Sequence, residues 1–532
     1  MSAESATRGY LDAPGGARGL RSWIFSTDHK RIGVLYLWST MFFFGAGTIF
    51  GFLMRLELIA PGRTIMKAQT YNAMFTLHGV IMIFLVVIPA IPASLGNFFL
   101  PLQLGARDVA FPRVNRLSWW IYATGALLAF FAMFAGGHPP DTGWTFYVPY
   151  SVRTDTNVTL AVLAALVLGF SSILTGLNFI TTVHVLRSPK MKWMKMPLFS
   201  WSIYATAWVQ VLATPIIAVT LLLIVLERVA NLGLFDPVRG GDPLLYQHLF
   251  WIYSHPAVYI MIIPAMGIIS EVIPAFSGKK VYGYNAIVVS TLAIAFAGYL
   301  VWGHHMFTSG MSDTARWVFS FLTFIVAVPS GVKVFNWVAT LYKGAIDISA
   351  PLLYALGFIF LFSIGGLTGL VNGALATNIQ VHDTYFVVAH FHYVMFGGTG
   401  FAIFAGLLYW FPKMTGKMYR PFPAIIAFIL MFAGFNILYF PMFILGWMGM
   451  PRRYYDYPKG FTSLQELSTV GSWFLVAGII LLAVTLIRGL RHGTPASANP
   501  WNARGLEWRT SSPPPTENFD ELPDPTIEEP VR

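Results

Sequence analysis

His390 and His392 stand two residues apart in the apolar run Phe386-Val-Val-Ala-His-Phe-His-Tyr-Val-Met-Phe396. On a helix that spacing is about 200°, so the two imidazoles leave opposite sides of one rod. At hydrocarbon depth each ring needs its own polar partner, because an unpartnered one costs several kcal/mol. One metal ion cannot easily use both rings, whereas two flat cofactors flanking the helix can. Four more histidines, His78, His255, His304 and His305, fall in other apolar runs. Neutral imidazole is the commonest nitrogen ligand for haem iron and copper. His304 and His305 are adjacent, about 100° apart if helical, and a third ligand would close an ion site around them. His255 is the obvious third, which leaves His78, His390 and His392 for haem irons. A packing role serves for one intramembrane histidine but gives no reason for six to share a depth.

The elements that position these rings must span a membrane. The 532 residues are 56% hydrophobic and 11% charged, too apolar for a soluble domain to enclose. Apolar runs near 32–56, 72–99, 117–134, 158–183, 200–226, 249–273, 284–305, 317–341, 351–370, 386–410, 423–448 and 470–490 predict an all-α fold, a polytopic membrane bundle of twelve transmembrane helices. Residues 1–30 and 492–532 are tails, and 31–491 is the membrane domain. The first tail has no apolar core, so it does not read as a cleavable signal peptide. The second is polar, carries Ser511-Ser-Pro-Pro-Pro515, and reads as a solvent-exposed extension.

Loop charge sets the orientation. The N-terminal tail and the even-numbered connections are rich in Lys and Arg, including Arg107, Arg113, Lys190, Lys192, Lys279 and Lys417. Both termini are therefore expected in the cytoplasm, with the chain in a bacterial inner membrane. The net charge of +11 reads as these loops facing a lipid leaflet; nothing suggests nucleic acid. With that orientation all six histidines lie in the outer half of the bilayer. The chain has no cysteine, which excludes thiolate-held clusters, Cys-ligated copper and covalent haem attachment.

His255 and Tyr259 are four apart, so their rings share a helix face and a phenol stands beside the ion site. Pro256 is expected to loosen the turn between them. Inward of this level Lys333 lies within the eighth span, where a charge is costly unless hydrated or functional. Ser270 comes eleven residues after Tyr259, within about 20° of the same face and roughly 16 Å closer to the cytoplasm. Ser330, Lys333, Ser270 and Tyr259 thus form a ladder for protons.

The ordered motifs Thr76-Leu-His-Gly79, His255-Pro-Ala-Val-Tyr259, Trp302-Gly-His-His305 and His382-Asp-Thr-Tyr-Phe-Val-Val-Ala-His-Phe-His392 resemble subunit I of the haem–copper terminal oxidases across nearly the whole chain. The resemblance implies that His78 and His392 are axial ligands of a low-spin haem and that His390 holds a high-spin haem. It implies that His255, His304 and His305 hold one copper ion opposite that haem, where O2 binds, with Tyr259 beside it. Arg452 and Arg453 match an arginine pair at haem propionates, and Arg55 an arginine facing the formyl group of haem A. His382 and Asp383 match a magnesium region shared with another subunit.

The lysine ladder is similar to one family proton pathway. Asp108, with Asn97, Asn115, Ser171, Ser172 and Asn178, is similar to the entrance of a second. Ala257 departs from the family, many of whose members have Glu there. Tyr253 and Ser254 precede His255, and the pattern resembles a proton-pumping subgroup that uses tyrosine instead. Electrons would enter through a partner subunit II carrying a two-copper centre, since that centre needs cysteines. Quinol-oxidising relatives carry His and Gln where this chain has Thr70 and Ala73, which favours cytochrome c as donor. A nitric oxide reductase, with iron in place of copper, is the nearest rival reading, although Tyr259 and Lys333 argue against it. A twelve-span secondary transporter is the rival from another class.

Overall fold

The computed structural model describes residues 9–12, 19–135 and 137–526. Among these the regular elements are all helices, and β-pairing is limited to isolated bridges. The apolar helices in chain order are α1 (His29–Glu57), α2 (Ala68–Leu104), α3 (Pro112–Phe134), α4 (Val158–Leu186), α5 (Leu198–Ala230), α6 (Pro243–Ser277), α7 (Tyr284–Ala297), α8 (Asp313–Leu341), α9 (Ala350–Gly373), α10 (Tyr385–Thr415), α11 (Pro421–Trp447) and α12 (Lys459–His492). Eleven are long and apolar enough to cross a membrane; α7 is the shorter one.

Local chemistry sets the ends. The Asp28 carboxylate accepts the Lys30 N–H at 2.8 Å and starts α1, and the Thr384 hydroxyl accepts the Phe386 N–H at 3.2 Å and starts α10. Gly105 (φ 70°) and Gly278 (φ 62°) end α2 and α6 in the left-handed conformation that glycine tolerates best. Inside α2, turns widened to the π form cover Ile81–Val87 and Ala90–Gly96, on either side of Pro89 and through Pro92. An extra residue in a turn accommodates a proline that cannot donate. Pro256 lies inside α6, which is continuous from Pro243 to Ser277. Only the bond to the carbonyl four residues earlier is lost.

The bundle closes where small residues let backbones meet. A Cβ at Gly434 on α11 would fall 2.9 Å from the Gly471 carbonyl of α12, and one at Gly478 would fall 2.9 Å from the Ala427 carbonyl. Only glycine permits that approach, the usual device of membrane helix pairs.

Two expectations need correction. The seventh span does not run as a helix to His305. It stops at Ala297, and His304 and His305 lie on a separate 3-10 turn, Trp302–Met306. Where the helix ends, a Cβ at Gly298 would fall 2.5 Å from the Tyr259 ring, so only glycine lets the chain pass that ring. The C-terminal tail, moreover, is not a solvated extension. Trp508 and Phe519 are buried, the Trp508 indole donates to the Tyr409 hydroxyl (3.0 Å), and Lys413 Nζ donates to the Thr510 carbonyl (2.6 Å). Aromatic anchors spaced through a polar stretch hold residues 501–519 against the C-terminal ends of α2 and α10.

Candidate active site

His78 on α2 donates from Nδ1 to the Gly47 carbonyl at 2.8 Å, and His392 on α10 from Nδ1 to the Val388 carbonyl at 2.8 Å. Each bond fixes the tautomer and leaves Nε2 with a lone pair. The two rings face each other with centroids 6.5 Å apart and planes 25° from parallel. Two imidazoles bound to one iron through nitrogens about 2 Å from it would be separated by roughly that distance. Space is made on purpose: a Cβ at Gly51 would stand 3.1 Å from His78 Cε1. Tyr439 lies against the His392 ring, centroids 4.2 Å apart.

His390 leaves the other side of α10. Its Nδ1 sits 3.2 Å from the Thr368 hydroxyl of α9, and Gly369 clears its path, since a Cβ there would lie 3.1 Å from His390 Cε1. Across from it, the ligand atoms of His255, His304 and His305 all lie within 4.8 Å of one another. His255 Nδ1 is 3.0 Å from His305 Nε2, the separation expected of two nitrogens each about 2 Å from one ion. Thr323 Oγ1 orients the His304 ring at 3.0 Å from its Nδ1, and Trp251 lies flat on His305 with centroids 3.7 Å apart. His255 Nε2 is buried with no partner, and the Tyr259 ring is 4.8 Å away, centroid to centroid. The trio therefore fits a copper ion, and the three remaining histidines fit two haem irons.

The rims fit the same groups. Arg452 and Arg453 sit side by side, with only Asp383 as counter-charge among the described residues, 3.7 Å from Arg452 and itself largely exposed. Burial and the neighbouring Arg452 hold the Arg453 guanidinium down at about 10. Two adjacent buried cations of this kind call for anions such as propionates. Arg55 gives one nitrogen to Gln465 and Thr469 of α12, while its Nε and Nη1 are buried without a partner. A carbonyl oxygen on a bound group would satisfy them. His382 and Asp383 lie 3.5 Å apart at the outer edge and supply two ligands, short of a complete magnesium site.

Lys333 is buried and finds no hydrogen-bond or ion-pair partner among the described residues. Its route differs from the expected ladder. Ser330 donates to its own helix at Val326, while Ser270 accepts from the Trp337 indole at 3.0 Å. Trp337, four residues after Lys333 on α8, donates that bond, and the sequence reading did not single it out.

The aspartate-side residues do gather between α1, α2, α3, α4 and α5. Asn178 accepts the Phe111 N–H at 2.8 Å, Ser171 donates to the Ser118 carbonyl at 2.8 Å, and Asn97 donates to the Ala93 carbonyl at 2.8 Å. Both polar atoms of the Asn115 amide, Asn97 Oδ1 and Ser172 Oγ are buried without protein partners, as water-binding positions are. Beside them a cavity with about 20 Å³ of room for water is lined by Tyr36, Ser171, Ser172, Thr175 and Gln210. Sequence reading missed Tyr36 and Gln210, single polar groups on otherwise apolar faces. Tyr253 is buried, and Ser254 Oγ is buried without a partner.

Burial pushes the Asp108 carboxyl up to about 7, outweighing the Val109 N–H it accepts at 2.6 Å. A carboxyl so placed is half protonated near pH 7 and increasingly ionised above it, so a proton-uptake mouth built on it would empty with rising pH. Turnover is thus expected to fall about tenfold per pH unit once the mouth limits the rate, and to lose that slope in Asp108→Asn at a much lower rate. Steady-state O2 consumption against pH checks this, a slope unchanged in the variant counting against it.

Residues 31–484 match the family model for cytochrome c and quinol oxidase polypeptide I. The chain is 46% identical over 94% of its length to cytochrome c oxidase subunit 1 of Synechocystis, covering 90% of that protein. It is 41% identical to the Cereibacter sphaeroides subunit, with 94% and 95% of the two chains covered. In fold it is similar to a solved heme-copper terminal oxidase dimer, with a TM-score of 0.71 at 22% identity over 87% of this chain and 85% of that one. The chain belongs to the polypeptide I family of membrane haem–copper oxidases. Within that class its activity is that of a cytochrome c oxidase, an oxygen reductase of the respiratory chain.

Proposed function

We propose that the chain is the proton-pumping catalytic subunit of its oxidase, fed with electrons from cytochrome c through a subunit II that carries a two-copper centre. His78 and His392 would hold the low-spin haem, His390 the high-spin haem, and His255, His304 and His305 the copper. When bound, these groups carry the electrons and the O2 chemistry. The single observation behind the reading is the freed ring nitrogens: His78 and His392 each spend Nδ1 on a backbone carbonyl and present Nε2 across a gap of 6.5 Å between ring centroids.

The protein's own part is positioning and proton supply. The phenol of Tyr259, beside the trio, holds a proton within reach of bound substrate. Lys333 and Ser270 lead protons toward it from the inner side. Asp108 takes protons at the second mouth, and the unpartnered polar atoms of Asn97, Asn115 and Ser172 hold the waters that carry them on. Tyr253 and Ser254 take the place of the glutamate that Ala257 lacks, so pumping is retained. The partnerless nitrogens of Arg55 support haem A or a formyl-bearing variant, and His382 with Asp383 would bind magnesium with a ligand from another subunit. The basic inner loops support both termini in the cytoplasm of a bacterial inner membrane.

Pyridine haemochrome spectra with copper analysis test the cofactor set. Two haems of the A type and one copper in this subunit are expected, whereas iron in place of the copper would indicate a nitric oxide reductase. Tyr253→Phe removes one buried hydroxyl and is expected to slow turnover roughly tenfold or more. Near-normal rate and proton stoichiometry in that variant would remove Tyr253 from the route.

A further inference from the structure

Two carboxylates remain that neither proton route uses. Glu271 stands near the inner end of α6, and Glu507 lies on the C-terminal segment beneath the bundle. They are within electrostatic reach of each other, and Tyr409 of α10 is within reach of both. Glu507 is 1% exposed; its Oε1 accepts from the Gln103 amide at 3.0 Å, and its Oε2 is enclosed without a partner. Gln103 is itself oriented by the Ser200 hydroxyl, which donates to its Oε1 at 2.8 Å. Glu271 accepts the Phe199 N–H at 2.9 Å, at the start of α5, where the residue before the helix is Pro197 and no side chain caps it locally.

Neither carboxylate has an ion-pair partner among the described residues. Lys413 of α10 is the nearest to Glu507, but its Nζ is taken up by the carbonyls of Ala498, Thr510 and Ser511 at 2.9, 2.6 and 3.2 Å. Tyr284 of α7, the other titratable neighbour of Glu271, donates its proton to the Met196 carbonyl at 2.6 Å. Two like-charged carboxylates in an enclosed place, with no ion-pair partner, do not both ionise, because repulsion adds to the loss of hydration. We propose that Glu271 and Glu507 form a proton-binding site that holds one shared proton at the inner end of the bundle. In support, burial pushes the Glu507 carboxyl up to about 7.

The site also joins two distant parts of the chain. The segment that carries Glu507 continues to Asn518, whose Oδ1 accepts from Lys30 Nζ at 2.8 Å and whose Nδ2 donates to the Ala106 carbonyl at 2.8 Å, two residues from Asp108. Loss of the shared proton sets two negative charges against each other between α6 and that segment.

Infrared difference spectra of the whole oxidase in membranes, titrated from acid to alkaline pH in H2O and D2O, test the assignment. In an Asp108→Asn background, which removes the other carboxyl that titrates near pH 7, the carbonyl stretch of a protonated carboxylic acid is expected to shift in D2O and to vanish through neutral pH. Glu507→Gln and Glu271→Gln are each expected to abolish that step, since the remaining carboxylate faces no like charge. Glu507→Asp, which keeps the acid but moves it, shifts the band. A titrating band that persists unchanged in both glutamine variants overturns the proposal. So does its absence from the parent enzyme, a result that needs no variant to fold.

Discussion

In His304→Ala the oxidase is expected to assemble with both haems and without copper, and its turnover to fall by at least about 10³-fold, some 4 kcal/mol of barrier. The three rings of the trio come from two elements, His255 from α6 and His304 with His305 from the 3-10 turn after α7. With one gone, two nitrogens remain, too few to close a four-coordinate site against water. The histidines proposed for the haems stand on other elements, α2 and α10, and keep their own carbonyl and hydroxyl partners. The loss should therefore separate cleanly: metal analysis shows iron unchanged and copper absent, and the visible spectrum keeps the low-spin haem. Copper retained at the parent level in His304→Ala would detach this ring from the site. The shift of His304 from an expected helix to a 3-10 turn matters here. On that turn its Nδ1 meets Thr323 of α8, so the ring is held even before an ion arrives.

In Lys333→Met turnover is expected to fall by about 10²–10³-fold with the fold intact. A buried ammonium with no counter-charge costs free energy, so replacing it by an apolar chain of similar length should be neutral or stabilising. Loss of activity would then report a lost proton carrier and not a damaged structure. Thermal unfolding and the haem spectra establish the second half of that statement, and O2 consumption the first. Near-normal turnover in a stable variant would leave Lys333 as a hydrated or snorkelling side chain and remove the lysine route. Trp337 makes the same test finer, because it bonds Ser270 at 3.0 Å on the way to the Tyr259 level.

Much of this was legible because the chemistry is written in local spacing. The two-residue interval of His390 and His392 places rings on opposite sides of any helix. Residue types at hydrocarbon depth mark cost, so six histidines and one lysine stand out against leucine and phenylalanine. What failed was local geometry that depends on a distant neighbour. The helix end before the His304 turn passes against the Tyr259 ring at Gly298, and the packed tail follows from Trp508 meeting Tyr409. Polar composition suggested solvent there, because a few anchoring aromatics do not change an average.

By itself the sequence determined the membrane setting, the helical class, the six candidate nitrogen ligands and the exclusion of thiolate chemistry. These are matters of residue type, period and count, which need no partner to be read. Only the tertiary structure decided which rings face each other across a gap, which of their nitrogens are left free, and that Glu271 and Glu507 come together. Each of those depends on groups far apart along the chain, such as His78 with Gly47 or Glu507 with Gln103. Burial and backbone carbonyls, not sequence neighbours, choose the tautomer and the proton.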